Sequence, residues 1–283
     1  MKYKRLKQCF FCIKDKDAPF LKDIKEELSS AGITAVVIDE ETVTLPGDPT
    51  VSYIITDNMD GVRLARTFDT GYVFLICEDL KRIPDNVPDA ECLFSGFDEL
   101  TSDFIEKMYE RKHGIPWTIA VTERTIIREL SLDDIDDLFD LYEDTEIKKY
   151  IPPLLSTKEE EREFQRAYIE KMYGFFGFGF WNILDRKDGR LIGRAGISMR
   201  EGFDIPELGY LLCADKREKG IAFEVCSAVL TYAKEILGLE KLLAFIQPEN
   251  LPSVRLIKKL GFTDSGEKKE VGGQEFSIYS LYL

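Results

Sequence analysis

Histidine is nearly absent. His113 is the only one in 283 residues, so sites built from several histidines are excluded and any imidazole base must be that residue. It falls in the last turn of a helical pattern, just before Gly114 and Pro116, where an imidazole caps helix carbonyls. Long apolar runs are missing as well. The longest stretch without Asp, Glu, Lys or Arg covers residues 172–184, thirteen residues with three glycines, against the ~18–20 needed to cross a bilayer. Near the start, Lys2, Lys4, Arg5 and Lys7 precede an apolar run of only residues 9–13, too short for a secretory leader, so a cytoplasmic protein is expected. Basic charge is in deficit: 38 Lys and Arg stand against 52 Asp and Glu, a net charge of −14. That sign opposes a nonspecific grip on a phosphate backbone or an anionic membrane, and neither nucleic acid nor membrane is an expected partner. Six cysteines in so long an acidic chain do not make a disulfide framework. Cys9 and Cys12 form a CxxC, but the run CFFCI reads as a strand, and an odd spacing there puts the two thiols on opposite faces. No metal site is expected.

What is present is an ordinary globular composition, 44% hydrophobic and 32% charged, in a chain long enough for two domains. Residues 9–13, 34–38, 51–56, 72–77 and 90–94 read as short strands. Leu21, Ile24, Leu28 and Ala31 recur at helical spacing and stop at Gly32, and a last helix carries Leu100, Phe104, Ile105, Met108 and Tyr109. This βα alternation predicts a small three-layer α/β domain with a mostly parallel sheet, over residues 1–116. The breaker Gly114-Ile115-Pro116 marks its end, and residues 117–283 form the second domain.

The second domain is expected to run as a strand over 125–130, a helix over 132–143, and a helix opened by the capping pattern Ser156-Thr157-Lys158-Glu159 and reaching residue 173. Strands over 178–184, 191–199 and 205–213 follow, then a helix with Ile221, Val225, Val229, Tyr232 and Ile236 on one face. A strand over 242–246, a helix over 250–260 and a hairpin around Gly272-Gly273 close the chain. The aromatics Tyr173, Phe175, Phe176, Phe178, Phe180 and Trp181 read as core and strand packing, with one or two rings free to line a pocket. The acids Glu143, Asp144 and Glu146 make either a solvated face or an attraction for a cationic ligand.

The informative segment is residues 207–225, ELGYLLCADKREKGIAFEV, a strand, a short turn, a glycine and a helix. Arg217, Glu218, Lys219, Gly220, Ile221 and Ala222 bring basic and small residues to a helix start, where free N–H groups and the positive dipole end make an anion site. Arg217-x-x-Gly220-x-Ala222 resembles the R/Q-x-x-G-x-G/A signature of the GNAT superfamily of acyl-CoA-dependent N-acyltransferases. KKYIPPL (148–154), GFGFWNIL (177–184), LIGRAGI (191–197), PELGYLL (206–212) and NLPSVRLIKKLGF (250–262) are similar, in order, to its ribosomal-protein N-acetyltransferase branch. The resemblance covers residues ~118–283 and implies a mixed, mostly antiparallel sheet flanked by helices.

It also implies acetyl-CoA as cofactor and an amine, on a small molecule or a protein N-terminus, as acceptor. By resemblance, the backbone of Arg217 to Ala222 binds the pyrophosphate. Leu212 and Cys213 offer main-chain hydrogen bonds to the pantetheine arm and the thioester oxygen. Asn250 contacts the arm, caps the next helix, or does both. Ser253 protonates or hydrogen-bonds the departing thiolate, and Glu207 takes the amine proton through water. Two residues depart from the family pattern. Ile257 stands where a tyrosine acid is frequent, which leaves Ser253, another tyrosine or water, and Glu218 replaces the first glycine of the loop. The closing hairpin is a usual place for this fold to form a homodimer. The expected activity is direct acetyl transfer, with a noncatalytic acyl-CoA-binding sensor as the alternative.

In the first domain, Asp15-Lys16-Asp17, Thr56 and Glu78-Asp79 follow successive strands, a placement that resembles the acidic, threonine and acidic motifs of haloacid-dehalogenase-like phosphatases. Lys14 and Pro19 break that pattern and no lysine is clearly placed. The resemblance therefore implies a degenerate relative used for binding or assembly, with phosphatase chemistry as the alternative.

Overall fold

In the computed structural model the chain divides into two compact units, Met1–Trp117 and Thr118–Leu283. The structure describes residues 3–39, 41–75, 92–94, 100–271 and 273–283.

In the first unit, β1 (Gln8–Cys12), β2 (Thr34–Val37), β3 (Ser52–Thr56), β4 (Gly71–Leu75) and β5 (Cys92–Phe94) pair in parallel, in the order β2-β1-β3-β4-β5. Alternate residues feed two cores. Cys9 and Phe11 pack with Leu21, Ile24 and Leu28 of α1 (Phe20–Ser30) and with Ile105 and Tyr109 of α3 (Ser102–Lys112). Phe10 and Cys12 pack with Val62, Leu64 and Ala65 of α2 (Met59–Phe68) on the other face. Strands buried on both faces are apolar without interruption, which is why they read clearly in the sequence. Cys9 and Cys12 lie in different cores and are not joined by a disulfide. The α2 helix was not foreseen; Asn58 caps it, its side chain accepting from the Asp60 and Gly61 N–H groups. His113 ends α3, with Nδ1 2.9 Å from the Tyr109 carbonyl oxygen.

The second unit is built on eight strands: β6 (Thr118–Val121), β7 (Thr125–Arg128), β8 (Phe180–Asp185), β9 (Leu191–Ser198), β10 (Glu207–Leu212), β11 (Lys241–Ile246), β12 (Thr263–Val271) and β13 (Gln274–Tyr282). Their order is β12-β13-β11-β10-β9-β8-β7-β6. Every neighbouring pair is antiparallel except β10 with β11. Three helices, α4 (Ile135–Tyr142), α5 (Thr145–Tyr150) and α6 (Lys158–Tyr168), lie between β7 and β8 in the chain. The helix expected to reach residue 173 leaves α geometry at Ile169 and continues as a π-helix, Ile169–Phe176, closed by Gly177 at φ 70°. Helices α7 (Ile221–Glu235) and α8 (Leu251–Lys259) follow β10 and β11.

The pleat sorts the two faces of this sheet. Trp181, Ala195 and Ile197 share a buried core with Val225 and Val229 of α7, and the Trp181 ring meets Tyr232 edge-on at 5.3 Å. Each fully buried valine contributes about 1.5–3 kcal/mol relative to exposure. Asn182, Arg194, Gly209 and Glu207 lie on the opposite face, where Asn182 donates to Asp134 at 3.0 Å. That face carries Glu207 and the Phe180 ring.

Candidate active site

Strands β10 and β11 touch at one register pair, Glu207 with Leu243, supported by the Leu243 N–H donating to the Pro206 carbonyl at 2.9 Å. Beyond it they part. On its other side β10 stays paired with β9 as far as Leu212. The Cys213 N–H donates to the Ile192 carbonyl at 2.9 Å, so odd-numbered residues of the strand turn their backbone groups toward β9. Leu212 and Tyr210 therefore aim theirs into the gap. The Cys213 N–H is thus spent on β9, and its carbonyl accepts from the Lys216 N–H at 3.1 Å. The Leu212 carbonyl is also taken, by Arg217 Nε at 2.9 Å, and the Leu212 N–H remains as its donor. The Cys213 thiol points to Asp215 at 2.9 Å; burial and that carboxylate push its pKa up to about 11, so it is not a nucleophile near neutral pH.

The turn after β10 is held from three sides. Arg217 reaches back to Leu212 and pairs with Asp144 at 2.9 Å, and Asp144 also accepts from the Ala214 N–H at 2.8 Å. Burial raises the Asp144 carboxyl, but the bonds from Arg217 and from the Glu146 and Ile147 N–H groups outweigh it and hold the pKa below the usual range. Asp144 is thus a brace for the turn and the N-cap of α5, while Glu143 pairs with Lys148, and neither is spare for a cationic ligand. Arg124, not singled out in the sequence, donates to the Lys219 carbonyl at 2.7 Å and pairs with Glu224 of α7 at 2.6 Å. Glu218 and Gly220 both take left-handed backbone, at φ 60° and 78°. Gly220 is the N-cap of α7 and no side chain caps that helix, whereas α2, α5, α6 and α8 are capped by Asn58, Asp144, Thr157 and Asn250. The first N–H groups of α7, from Ile221 and Ala222 onward, are left for an anion. A Cβ on Gly220 would meet only Arg124 Nη2, at 3.6 Å, so the space beside the helix start is open. Lys219 is exposed and has no salt bridge among the described residues. An uncapped helix start, open backbone and a free lysine fit a pyrophosphate.

Glu207 stands at the mouth of the gap. Its carboxylate accepts from Arg200 Nε at 3.0 Å and from the Ser198 hydroxyl at 3.3 Å. The Phe180 ring lies across the same face, over Gly209, where an added Cβ would come within 2.6 Å of it. Tyr168 and Tyr173 fasten the start of β8 by accepting from the Phe180 N–H at 2.7 Å and donating to its carbonyl at 2.6 Å. Of the aromatic run, Tyr173 and Trp181 are fully buried core, while Phe180 lines the site; the Phe175 side chain is outside the described residues.

Ser253, in the first turn of α8, is joined to the strand by Tyr210, whose hydroxyl donates to Ser253 Oγ at 2.8 Å. Asn250 caps α8 by accepting from the Ser253 N–H at 3.3 Å. Ile257 is buried at 1% exposure in the core beneath. The structure thus brings a second hydroxyl, that of Tyr210, to Ser253; Tyr210 was not singled out in the sequence because its partner is 43 positions away.

Comparison with known proteins gives this arrangement its family. The model of the acetyltransferase (GNAT) domain matches residues 124–263. YnaD of Bacillus subtilis (strain 168), an uncharacterized N-acetyltransferase, is 32% identical over 145 residues, which span 51% of this chain and 82% of that protein. The chain belongs to the GNAT acetyltransferase family. The ribosomal protein uS5-alanine N-acetyltransferase of Escherichia coli (strain K12) is 24% identical over 174 residues, 58% of this chain and 87% of its own. The solved ribosomal-protein-S5-alanine acetyltransferase of Vibrio fischeri shares the fold, with a TM-score of 0.52 at 18% identity over 58% of this chain and 95% of that one.

The first unit lies outside the match to the GNAT model. There Thr56 is buried and donates to the Cys12 carbonyl at 2.8 Å, and Asp15 accepts from the Asp17 N–H at 3.1 Å within its turn. Thr56 and Asp15, two of the residues in the phosphatase-like pattern, thus make bonds local to the strand ends. Glu78 and Asp79 lie outside the described residues. Asp57, not singled out in the sequence, accepts from the Lys14 N–H at 3.1 Å where β1 and β3 end. Among the described residues no three His, Cys, Asp or Glu side chains are grouped to hold a metal ion, and no helix is long and apolar enough to cross a membrane.

Proposed function

We propose that this GNAT protein transfers an acetyl group from acetyl-CoA directly to a primary amine, without a covalent enzyme intermediate. The observation that carries the reading is the parting of β10 from β11. It sets a carboxylate, two strand donors and an uncapped helix start in succession along one strand and the turn after it. When bound, acetyl-CoA supplies the acetyl group as an activated thioester. The backbone from Arg217 to Ala222 holds the pyrophosphate, and Lys219 adds charge. The Leu212 and Tyr210 N–H groups face the gap, where a carbonyl oxygen gaining negative charge is stabilised by fixed donors. Glu207 takes the ammonium proton so that the nitrogen attacks as a neutral amine, worth about 10²–10⁴-fold. Ser253, its oxygen already accepting from Tyr210, turns its own proton toward the departing sulfur.

The acceptor is a small-molecule amine or a protein N-terminus such as the one in the name of the E. coli relative, met in the cytoplasm. Calorimetric titration of acetyl-CoA into the wild type and Gly220→Glu tests the cofactor site: binding to the first and none to the second is expected, and binding equal in both would overturn it. A noncatalytic acyl-CoA sensor is the second reading, favoured by Ile257 in the core and by Arg200 on Glu207. Glu207→Gln separates the two. An enzyme loses CoA release while keeping acetyl-CoA affinity, and a sensor shows no amine-dependent CoA release to lose.

A further inference from the structure

The Glu207 carboxylate does not stand alone at the mouth of the gap. The guanidinium of Arg200 pairs with it at 3.0 Å and lies against two rings, 4.4 Å from the centre of Phe245 and 5.5 Å from that of Phe276. Phe203 meets Phe245 edge-on at 4.8 Å, and Lys269 Nζ stands 5.7 Å from the centre of the Phe203 ring. Register puts Glu207, Phe245 and Phe276 on one face of the sheet, the face that also carries the Phe180 ring. Lys269 is exposed and has no salt bridge among the described residues, and it brings a second cation to the edge of this set of partly buried rings.

A plain amine bound at Glu207 would enter as an ammonium, displace Arg200 and strand a guanidinium between rings beside a second cation. Partly buried charges tolerate exchange of partners far better than loss of them. An acceptor that carries its own carboxylate avoids that loss: its ammonium takes Glu207 and its carboxylate takes Arg200. In an α-amino acid one carbon separates the two groups, which suits counter-charges already in contact at 3.0 Å. We propose that the acceptor is an α-amino acid with an apolar side chain, its amine at Glu207, its carboxylate on Arg200 and Lys269, and its side chain among Phe180, Phe203, Phe245 and Phe276. This rests on the reading of Glu207 as the group that receives the amine.

The test uses the full chain with CoA bound, titrated with phenylalanine, phenylalanine amide, phenethylamine and an alanyl peptide amide, followed by CoA release from acetyl-CoA with the same four amines. Phenylalanine is expected to bind and to react at least about tenfold better than its amide, as a charge-assisted pair allows. Arg200→Gln and Lys269→Gln each bring that ratio toward one. Equal use of the amide, preference for the peptide, or no binding of phenylalanine would overturn the inference. CoA release with the peptide alone would do so while leaving acetyl transfer intact. Selective phenylalanine binding without CoA release would instead sink acetyl transfer and support the carboxylate site.

Discussion

The Tyr210 hydroxyl donates to Ser253 Oγ across 2.8 Å, joining the strand that opens the gap to the helix that follows it. Burial pushes the phenol pKa up, so Tyr210 stays protonated and remains the donor. With Oγ accepting from Tyr210, the serine's own proton is left to donate elsewhere. Tyr210→Phe is expected to lower kcat about tenfold, the loss of one hydrogen bond, with acetyl-CoA affinity little changed. Ser253→Ala should cost as much or more, and the double variant no more than Ser253→Ala alone. Additive losses in a double-mutant cycle would show that the two hydroxyls act separately.

Glu218 adopts φ 60° where the family pattern has glycine. A side chain in left-handed backbone costs roughly 1–2 kcal/mol, and glycine gives back about 0.5–1 kcal/mol of that through its freer unfolded chain. Glu218→Gly should therefore leave stability unchanged or raise it by up to about 1.5 kcal/mol. It also removes a negative charge from the loop, so acetyl-CoA is expected to bind several-fold tighter, with the gain shrinking as salt rises. Titrations at low and high salt check both parts.

The Arg217–Asp144 pair sets a pH window. The Asp144 carboxyl titrates below its unfolded value, so its contribution is fully present above about pH 4 and is lost as pH falls through the depressed folded value. Asp144→Asn should lower stability by about 1–2 kcal/mol at pH 7, less than the full worth of a charged hydrogen bond because the pair is partly solvated. Thermal unfolding from pH 7 to pH 3 should show the two curves converging below pH 4. A difference that does not shrink at all as pH falls below 4 would assign the effect to packing.

Much of this was legible in the sequence, for a physical reason. Strands such as β1 and β3 are buried on both faces and appear as unbroken apolar runs, and the turn from Arg217 to Ala222 is a local pattern that spacing reveals. Local patterns do not show partners at long range. Asp144 looked like part of an acidic cluster because Arg217 is 73 positions away. The short strand β6, with its half-exposed TIAV, has no alternation strong enough to read, and α2 carries Gly61 in its first turn, a residue that weakens any helical pattern.

That glycine reverses a propensity argument. Replacing a helical glycine by alanine ordinarily stabilises by up to about 1 kcal/mol. At Gly61 a Cβ would fall 2.1 Å from Thr56 Oγ1 and 3.0 Å from Cys12 Cβ, so α2 would have to lift from the sheet. Gly61→Ala is expected to destabilise by about 1–3 kcal/mol, as overpacking does. A lower denaturant midpoint is the result to look for, and a raised one would show that the helix shifts freely.

The single register pair between β10 and β11 has a mechanical side. Within the second unit, β6 to β10 form one hydrogen-bonded ribbon and β11 to β13 another, stitched at Glu207 and Leu243. On the proposed reading, a ligand arm in the seam would supply the rungs that the sheet omits, which would make the apoprotein the more compliant form and the loaded one the stiffer. Saturation at a hundred times the dissociation constant adds about 2.7 kcal/mol to folding. If acetyl-CoA binds as proposed, the ratio of loaded to empty protein would set how much of the chain is open to proteases, and the supply of ligand would become a control on the protein's own lifetime.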